Sequence, residues 1–219
     1  MSATYQGIVF DMDGVLADSE PIYHHAMQLL LTPLGKTISP QQQRDMMGRS
    51  IEDTWAYLAR AFDLPGPLDA LIDAYDHELR RQLALVNETL PGVRELIAAL
   101  KQRSVPIAVA SSSLPEWIDA LLGGLKLVGI FDAAVSARQA AHPKPAPDVY
   151  LLAAERLGVQ PARCIAFEDT PTGLASARAA GMLAVQVRAA STAFPPLEAA
   201  DLVLETLHDF DLSLLAPRP

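Results

Sequence analysis

The feature that most constrains this chain is the alternation of short apolar runs with segments of helical periodicity. Each apolar run has four to seven residues, a length typical of a strand, and a helix-length pattern follows most of them. Parallel strands need such crossovers, so the alternation predicts a parallel, doubly wound α/β sheet. The predicted strands are 5–10, 106–110, 131–137, 164–167, 183–187 and 201–204. The helices predicted to alternate with the later strands are 91–100, 114–122, 148–157 and 172–180.

The segment from about residue 18 to residue 87 breaks this alternation, because it carries helical patterns and no strand pattern. Pro21 suits the first turn of one helix. Ser39 and Ser50 suit the N-cap positions of the next two helices, and a fourth helix is predicted over 68–85. We therefore expect two domains: an α/β core formed by 1–17 and 88–219, and an all-helical cap formed by 18–87.

The charge balance excludes some classes of partner. The 219 residues carry 17 Lys and Arg against 26 Asp and Glu, so 17 − 26 gives a formal net charge of −9. An acidic surface repels the phosphates of nucleic acids and anionic membranes, so we expect neither as a partner. Cys164 is the single cysteine, and neither a signal-peptide pattern nor an apolar run of about 18 residues is found. We expect a cytoplasmic protein and a monomer, with an oligomer left open.

Polar side chains stand at the ends of four predicted strands or in the loops that follow them. In open parallel sheets, ligands bind outside the carboxyl ends of the strands, so these side chains are expected to converge on one edge. They are Asp11 and Asp13 after the first strand, Ser111 and Ser112 after the second, Lys144 after the third, and Glu168 and Asp169 after the fourth.

Their chemistry points to phosphoryl transfer. Several carboxylates in one crevice need a cation, and oxygen ligands without thiolates or clustered imidazoles favour Mg²⁺. A carboxylate beside Mg²⁺ stays ionised and can act as a nucleophile, while a second acid nearby can move protons. Ser111 and Lys144 could hold the oxygens of a transferring phosphoryl group.

Four sequence motifs resemble those of a known family. "DMDGVLADSE", "ASSS", "HPKPAPDVY" and "FEDTPTGLASARAAG" are similar, in this order, to the motifs of the haloacid dehalogenase (HAD) superfamily. The resemblance is to its phosphatase and β-phosphoglucomutase-like branch, which carries a helical cap after the first core strand. It implies a Rossmann-like core, a magnesium ion as cofactor, and catalysis through an aspartyl-phosphate.

The resemblance also implies roles for individual residues. Asp11 matches the nucleophile, and Asp13 matches the general acid/base, whose backbone carbonyl would also bind Mg²⁺. Lys144 would neutralise charge between Asp11 and the phosphate. Asp169 would bind Mg²⁺ through its side chain, and Glu168 would be either a ligand or a supporting neighbour.

Ser111 would bind the phosphoryl group, with the backbone N–H of Ser112 assisting. The alternative for Ser111, Ser112 and Ser113 is capping of the next helix, and both roles fit the same strand-to-helix turn. Three residues of the predicted cap are candidates for substrate contact: Glu20, His24 and Arg49. For each of them a surface charge or a packed histidine is the alternative.

The function expected from these residues is a Mg²⁺-dependent phosphatase that acts on a small phosphorylated metabolite, perhaps a sugar phosphate. The first alternative is a β-phosphoglucomutase-like phosphosugar mutase. Against it, Tyr23 stands where the mutase carries a histidine, with His24 one position later. Ile51 and Leu114 stand where it carries an arginine and a lysine. The second alternative is a phosphometabolite-binding protein without turnover.

Overall fold

A single sheet organises the part of the chain that the computed structural model describes, which comprises residues 5–46, 50–190 and 193–216. All of its strand pairs are parallel, and the strand order is β3-β2-β1-β4-β5-β6. The strands are β1 (Gly7–Phe10), β2 (Ile107–Ser111), β3 (Ala133–Ser136), β4 (Cys164–Glu168), β5 (Leu183–Val187) and β6 (Leu202–Leu204).

The helices follow the pattern expected from the sequence. The first five lie between β1 and β2 in the chain, and the other three precede β3, β4 and β5 in turn. They are α1 (Glu20–Leu31), α2 (Pro40–Met46), α3 (Ile51–Phe62), α4 (Leu68–Leu83), α5 (Val93–Gln102), α6 (Pro115–Gly124), α7 (Asp148–Leu157) and α8 (Pro171–Ala179). Short 3₁₀ turns occur at Thr32–Leu34, Ala137–Gln139, Pro161–Arg163, Leu207–Asp209 and Leu212–Leu214.

Strand β1 lies in the middle of the sheet and is buried on both faces. Ile8 and Phe10 contribute to one apolar core, and Val9 between them contributes to the other. Successive side chains of a strand point to opposite faces, so a strand covered on both sides must be apolar throughout. This explains the continuous run Gly7–Phe10 and confirms the predicted doubly wound α/β fold.

The strand order places a topological switch beside β1. The chain proceeds from β1 to β2 and β3 on one side, and then crosses back to β4, β5 and β6 on the other. Crossovers diverge at such a point and leave a crevice at the carboxyl ends of the two central strands. Ile8 is level with Ile107 of β2 and with Ile165 of β4, so the three strands end near one another.

Helices α3, α4 and α6 enclose an aromatic cluster. The ring centroids of Trp55 and Tyr75 are 5.4 Å apart, and those of Tyr75 and Trp117 are 6.2 Å apart. The indole N–H of Trp117, on α6, donates a hydrogen bond of 2.7 Å to Asp76 of α4. Aromatic packing and this hydrogen bond join α3 and α4 to α6. Within the described residues, no helix has the length and apolar character needed to cross a membrane.

Most predicted boundaries lie within two residues of the observed ones. The helix expected at Pro91 begins instead at Val93, because Gly92 has a left-handed backbone with φ of 86°. A side chain at Gly92 would also collide with neighbouring backbone, since its Cβ would lie 2.2 Å from the amide nitrogen of His208. Gly92 therefore fixes both the start of α5 and its approach to the C-terminal segment.

We predict that Gly92→Ala destabilises the protein by about 2 kcal/mol or more, through the positive φ and the backbone collision. The matched control is Gly123→Ala, because a Cβ at this exposed helical position would meet nothing within 4 Å. The control should leave stability unchanged or raise it by up to about 1 kcal/mol. Urea unfolding monitored by circular dichroism measures both changes, and equal effects would contradict this account of Gly92.

Candidate active site

A cleft of about 400 Å³ opens at the carboxyl ends of the central strands. It brings together residues from the loops that follow β1, β2, β3, β4 and β5, from the end of β4, and from the first turns of α1 and α8. The lining residues are Asp11, Asp13, Gly14, Asp18, Ser19, Glu20, Ser112, Lys144, Glu168, Asp169, Thr170, Thr172 and Phe194.

Lys144 is the electrostatic centre of this cleft. Its ammonium lies 2.6 Å from Oδ1 of Asp11 and 2.6 Å from Oε1 of Glu168, and it donates to the carbonyl oxygen of Ala110 at 3.2 Å. The side chain is 6% exposed. Burial alone would lower the pKa of Lys144, but the two carboxylates hold this pKa above its usual value. Lys144 therefore stays charged and links β1 to β4.

Asp11 begins the loop after β1 and is buried in the floor of the cleft. Burial raises the pKa of its carboxyl well above the ordinary value, and Lys144 opposes this rise. The nearby carboxylates of Glu168 and Asp169 raise this pKa further. A cation at the site would favour the ionised form of Asp11, which is the form that can attack an electrophile.

Asp13 is surrounded by hydroxyl groups. Oδ1 accepts hydrogen bonds from Ser19 and, at 3.1 Å, from Tyr23. Oδ2 accepts from Ser113 at 3.0 Å and makes a longer contact of 3.5 Å with the hydroxyl of Ser111. Burial raises the pKa of Asp13, and the hydroxyl donors oppose the rise. These bonds hold the carboxylate of Asp13 in one orientation beside the carboxyl end of β1.

The serines after β2 have distinct positions. Ser111 is fully buried, and its hydroxyl accepts a hydrogen bond of 3.0 Å from the backbone N–H of Ser113. Ser112 is exposed and lines the cleft. Ser113 shares a contact of 2.9 Å with the hydroxyl of Tyr23. The structure therefore places Ser112 at the cleft surface and Ser111 beneath it.

The carboxylate of Glu168 is saturated with donors. Oε1 accepts from Lys144 at 2.6 Å and from the Tyr150 hydroxyl at 2.9 Å. Oε2 accepts from the backbone N–H groups of Asp169 and Thr170 and from the Thr170 hydroxyl, at 3.0 to 3.1 Å. Burial would raise the pKa of Glu168, but Lys144 and the other donors lower it below the ordinary value. A carboxylate has about four lone-pair sites, so these five donors favour the supporting role over direct binding of a metal.

Asp169 lies next in the chain but has the opposite environment. Its Oδ1 is buried and has no hydrogen-bond partner among the described residues. Burial, together with the charges of Glu168 and Asp13, raises the pKa of Asp169 to about 8. An unpartnered buried oxygen of this kind is costly unless something else binds it. This oxygen is the strongest single sign of a cation site.

A metal ion fits the residues that surround Asp169. One carboxylate oxygen from each of Asp11, Glu168 and Asp169 lies within 4.8 Å of the other two, and Asp11 and Asp169 are the better ligands because Glu168 already accepts five hydrogen bonds. Gly14 leaves room for them: it has φ of 73°, and a Cβ there would lie 2.1 Å from Oδ2 of Asp169. A set of carboxylate oxygens suits a hard divalent cation.

The three candidates from the predicted cap have different outcomes. Glu20 lines the cleft, and its Oε1 lies 3.2 Å from Nε2 of His24. His24 is not among the lining residues, and its Nδ1 is buried without a hydrogen-bond partner in the described structure. Arg49 lies outside the described residues. The expected substrate contacts of all three stay predictions.

Several residues of the site were missed by the sequence reasoning. Ser113 could have been found, because it belongs to the "ASSS" motif, where only helix capping was considered for it. Tyr150 closes the "HPKPAPDVY" motif six residues after Lys144, and its hydroxyl reaches Glu168. Ser19 belongs to the first motif and binds Asp13. For Phe194, which lies in the cleft, the sequence offers no local signal.

The fold and the site together define a class of protein. A doubly wound parallel sheet presents a buried aspartate paired with a lysine, beside a carboxylate cluster that suits a divalent cation. This arrangement is typical of an α/β enzyme with a charged cleft at the carboxyl ends of its strands.

Sequence comparison identifies the family. Residues 5–181 match the haloacid dehalogenase-like hydrolase family, and the chain belongs to it. The match confirms the resemblance seen in the four motifs and the expectation that the protein is a hydrolase.

Named relatives and solved structures agree with this assignment. The fructose-1-phosphate phosphatase YqaB of Escherichia coli (strain K12) is 38% identical over 191 residues, which are 86% of this chain and 99% of that protein. Hexitol phosphatase B of the same organism is 34% identical over 209 residues, 92% of each chain. A solved structure from Thermotoga maritima, proposed to be a β-phosphoglucomutase, superimposes with a TM-score of 0.81 at 28% identity and covers 93% of this chain and 95% of that one.

The two adjacent carboxylates should respond oppositely to removal of their charge. In metal-free protein, Glu168→Gln should destabilise by about 2–4 kcal/mol, because an amide NH₂ would face groups that also donate. Asp169→Asn should keep or raise stability at neutral pH, because the native state no longer has to take up a proton at this carboxyl or to bury its charge beside Glu168 and Asp13. Thermal unfolding in a chelator measures both variants.

Added Mg²⁺ extends this comparison. The wild-type melting temperature should rise once the Mg²⁺ concentration exceeds the dissociation constant. At a hundredfold excess over that constant, the free energy of unfolding should be about 2.7 kcal/mol higher. The shift should be lost in Asp169→Asn. An equal Mg²⁺ shift in the variant and the wild type would show that Asp169 is not a ligand.

Proposed function

We propose that this protein is a Mg²⁺-dependent phosphatase, a phosphoric monoester hydrolase that acts on a small phosphorylated metabolite, with a sugar phosphate as the best candidate. The observation that carries the proposal is the pairing of Asp11 with Lys144 at 2.6 Å in a cleft that Asp13 also lines. This pairing supports Asp11 as the proposed nucleophile, with a positive charge and a candidate proton-transfer group beside it. Two relatives named as phosphatases of fructose 1-phosphate and of hexitol phosphates support the substrate class.

The residues present fit Mg²⁺, which is typical of the family. Asp11 and Asp169 would bind it through their carboxylates, and Asp13 through its backbone carbonyl. Glu168 would support these ligands, since its own oxygens already accept five hydrogen bonds. When bound, the ion offsets the charge of the carboxylates and of the phosphoryl oxygens.

The chemistry proceeds in two displacements. In the first, a carboxylate oxygen of Asp11 attacks phosphorus, the bond to the leaving oxygen breaks, and Asp13 donates a proton to that oxygen. This forms an aspartyl-phosphate and releases an alcohol. In the second, Asp13 takes a proton from water, the water oxygen attacks phosphorus, and the bond to Asp11 breaks. Lys144 offsets negative charge beside Asp11 in both steps, and Ser111 and Ser112 are proposed to hold the phosphoryl oxygens.

Helices α1–α4 are proposed to form the cap, residues 18–87, over the core. The hydroxyls of Ser19 and Tyr23 belong to this segment, and both bind Asp13 of the core. Tyr23 also contacts Ser113, across the same division. Closure of such a cap would exclude water and would align Asp13 in the same movement.

The nucleophile assignment predicts a large loss of activity in Asp11→Asn. The amide cannot form the acyl phosphate at a comparable rate, so phosphate release from fructose 1-phosphate with Mg²⁺ should fall by at least about 10³-fold. A malachite green assay measures the released phosphate, and mass spectrometry should detect phosphorylated wild type but no phosphorylated variant. Substantial turnover by a pure Asp11→Asn preparation would refute the assignment.

The proton-transfer role of Asp13 has its own signature in Asp13→Asn. Loss of the acid should lower kcat/KM strongly for an alkyl phosphate, about 10²–10⁴-fold. It should lower kcat/KM much less for p-nitrophenyl phosphate, whose leaving group needs no proton. Equal losses for the two substrates would assign Asp13 to positioning alone.

The phosphomutase is the second candidate, and the Thermotoga maritima structure favours it. A mutase must also hold a second phosphate, which calls for cationic side chains. Ile51 and Leu114 stand where those cations are expected, and both are partly buried against the apolar core. Tyr23, in place of the histidine, is engaged with Asp13 and Ser113. These contacts support hydrolysis over phosphoryl return to a sugar.

An assay with β-glucose 1-phosphate and a catalytic amount of glucose 1,6-bisphosphate distinguishes the two candidates. We expect phosphate release to exceed the formation of glucose 6-phosphate, because the described residues provide no cation at positions 51 and 114. Isomerisation faster than hydrolysis would establish the mutase instead. Tight binding without either reaction would establish the binding protein. A cytoplasmic location and a monomeric state stay predictions.

A further inference from the structure

Phe194 is the one residue with a hydrocarbon side chain among the described residues that line the cleft. All other lining side chains carry a carboxylate, a hydroxyl or an ammonium group, apart from Gly14, which has no side chain. Phe194 is 37% exposed. An aromatic ring that stays partly exposed in a charged cleft offers an apolar surface to a ligand.

The backbone that carries Phe194 is held from below by Gln186. This glutamine is fully buried in β5, whose other residues are apolar. Its amide nitrogen donates to the carbonyl oxygens of Pro195 at 3.0 Å and Phe194 at 3.4 Å, and its amide oxygen accepts from the N–H of Leu197 at 2.9 Å. A buried amide is costly unless it is hydrogen-bonded, and all of these bonds go to the loop of Phe194. Gln186 therefore positions this loop.

Arg188 adds a second anchor to the same loop. Its Nε donates to the carbonyl oxygen of Phe194 at 2.9 Å, and its Nη1 lies 2.5 Å from a carboxylate oxygen of Glu205. The carbonyl of Phe194 thus accepts from two side chains of the segment that ends β5. The hydrogen bonds from Gln186 and Arg188 therefore fix the backbone of this loop and keep the Phe194 ring at the cleft.

The charges of the cleft restrict what packs against this ring. Lys144 is the one cation among the described lining residues, and it is already paired with Asp11 and Glu168. Asp18 and Glu20 add two more carboxylates to the lining. A second anionic group on the substrate would be repelled there, whereas hydroxyl groups could donate to these oxygens.

We propose that Phe194 is a substrate-contacting specificity residue whose ring packs against the carbon skeleton of an uncharged, hydroxyl-rich leaving group. Gln186 is the positioning residue that holds the ring in place. The combination of an apolar ring with carboxylate acceptors suits a sugar or polyol that carries a single phosphate. This inference rests on the proposed phosphatase function and names its substrate class.

The test compares a substrate that has a sugar skeleton with one that lacks it. Phe194→Ala should raise KM for fructose 1-phosphate about tenfold and leave kcat within about twofold, because it removes on the order of 50 Å² of apolar contact. KM for acetyl phosphate should not change. Phe194→Trp should keep the wild-type KM and kcat, because it retains an aromatic ring. The matched control is Leu151→Ala, which removes another partly exposed apolar side chain outside the cleft lining.

Two further measurements test whether Gln186 positions Phe194 and whether the acidic cleft excludes a second anionic group on the substrate. Gln186→Met removes the hydrogen bonds at similar volume, so it should also raise KM for fructose 1-phosphate while leaving acetyl phosphate unaffected. Wild-type kcat/KM should be at least about tenfold higher for fructose 1-phosphate than for fructose 1,6-bisphosphate, and Glu20→Gln should narrow this ratio. If the wild type prefers fructose 1,6-bisphosphate to fructose 1-phosphate, the proposal that the leaving group is uncharged is wrong.

Binding to the Asp11→Asn protein separates this inference from the proposed function. In that background, Phe194→Ala should weaken fructose 1-phosphate about tenfold in calorimetry and leave inorganic phosphate unchanged. Such binding without wild-type turnover would overturn the phosphatase and keep the inference. Hydrolysis of fructose 1-phosphate that Phe194→Ala leaves unchanged would overturn the inference and keep the phosphatase. Equal effects of Phe194→Ala on both substrates would assign the ring to structure and also overturn the inference.

Discussion

The salt bridges of Lys144 to Asp11 and Glu168 are the interaction on which the rest of the site depends. Both distances are 2.6 Å, and the lysine side chain is 6% exposed. Buried charges are stable only when they are paired and hydrogen-bonded, so each of the three groups depends on the other two. Because Asp11 follows β1, Glu168 ends β4 and Lys144 precedes α7, this triad joins three separate segments of the core. The same bonds that stabilise the fold therefore position Asp11, the proposed nucleophile.

Around the triad, acidic groups of one type acquire different tasks from their surroundings. Glu168 has all its lone pairs occupied by donors, and its pKa is lowered despite burial. Asp169 has a buried oxygen without a partner and a pKa raised to about 8, which suits a cation ligand. Asp13 is oriented by hydroxyl groups of two different segments. Differences in hydrogen bonding, rather than in residue type, thus distinguish the three roles proposed for these carboxyl groups: support, metal binding and proton transfer.

Much of this could be predicted because it depends on local pattern. The apolar run of β1 must be buried on both faces, and a parallel sheet brings the ends of its strands to one edge, so Asp11, Lys144 and Asp169 could be placed together from their positions alone. Helix boundaries were less exact where backbone geometry decided them, as at Gly92. Tyr150 was not foreseen, since a tyrosine one turn into a helix looks like a core residue until its partner is known.

The sequence by itself determined the succession of strands and helices along the chain, the pair of acidic residues Asp11 and Asp13, and the family of the protein. It did so because periodicity and short motifs record which residues are buried and which stand at strand ends. Only the tertiary structure decided that Tyr23 reaches Asp13 and that Phe194 faces the cleft. The physical reason is that such contacts join different elements of the fold, and no local pattern encodes the direction that a side chain takes between them. The charged residues of the cleft could thus be identified from the motifs, whereas the contacts that shape the cleft could not.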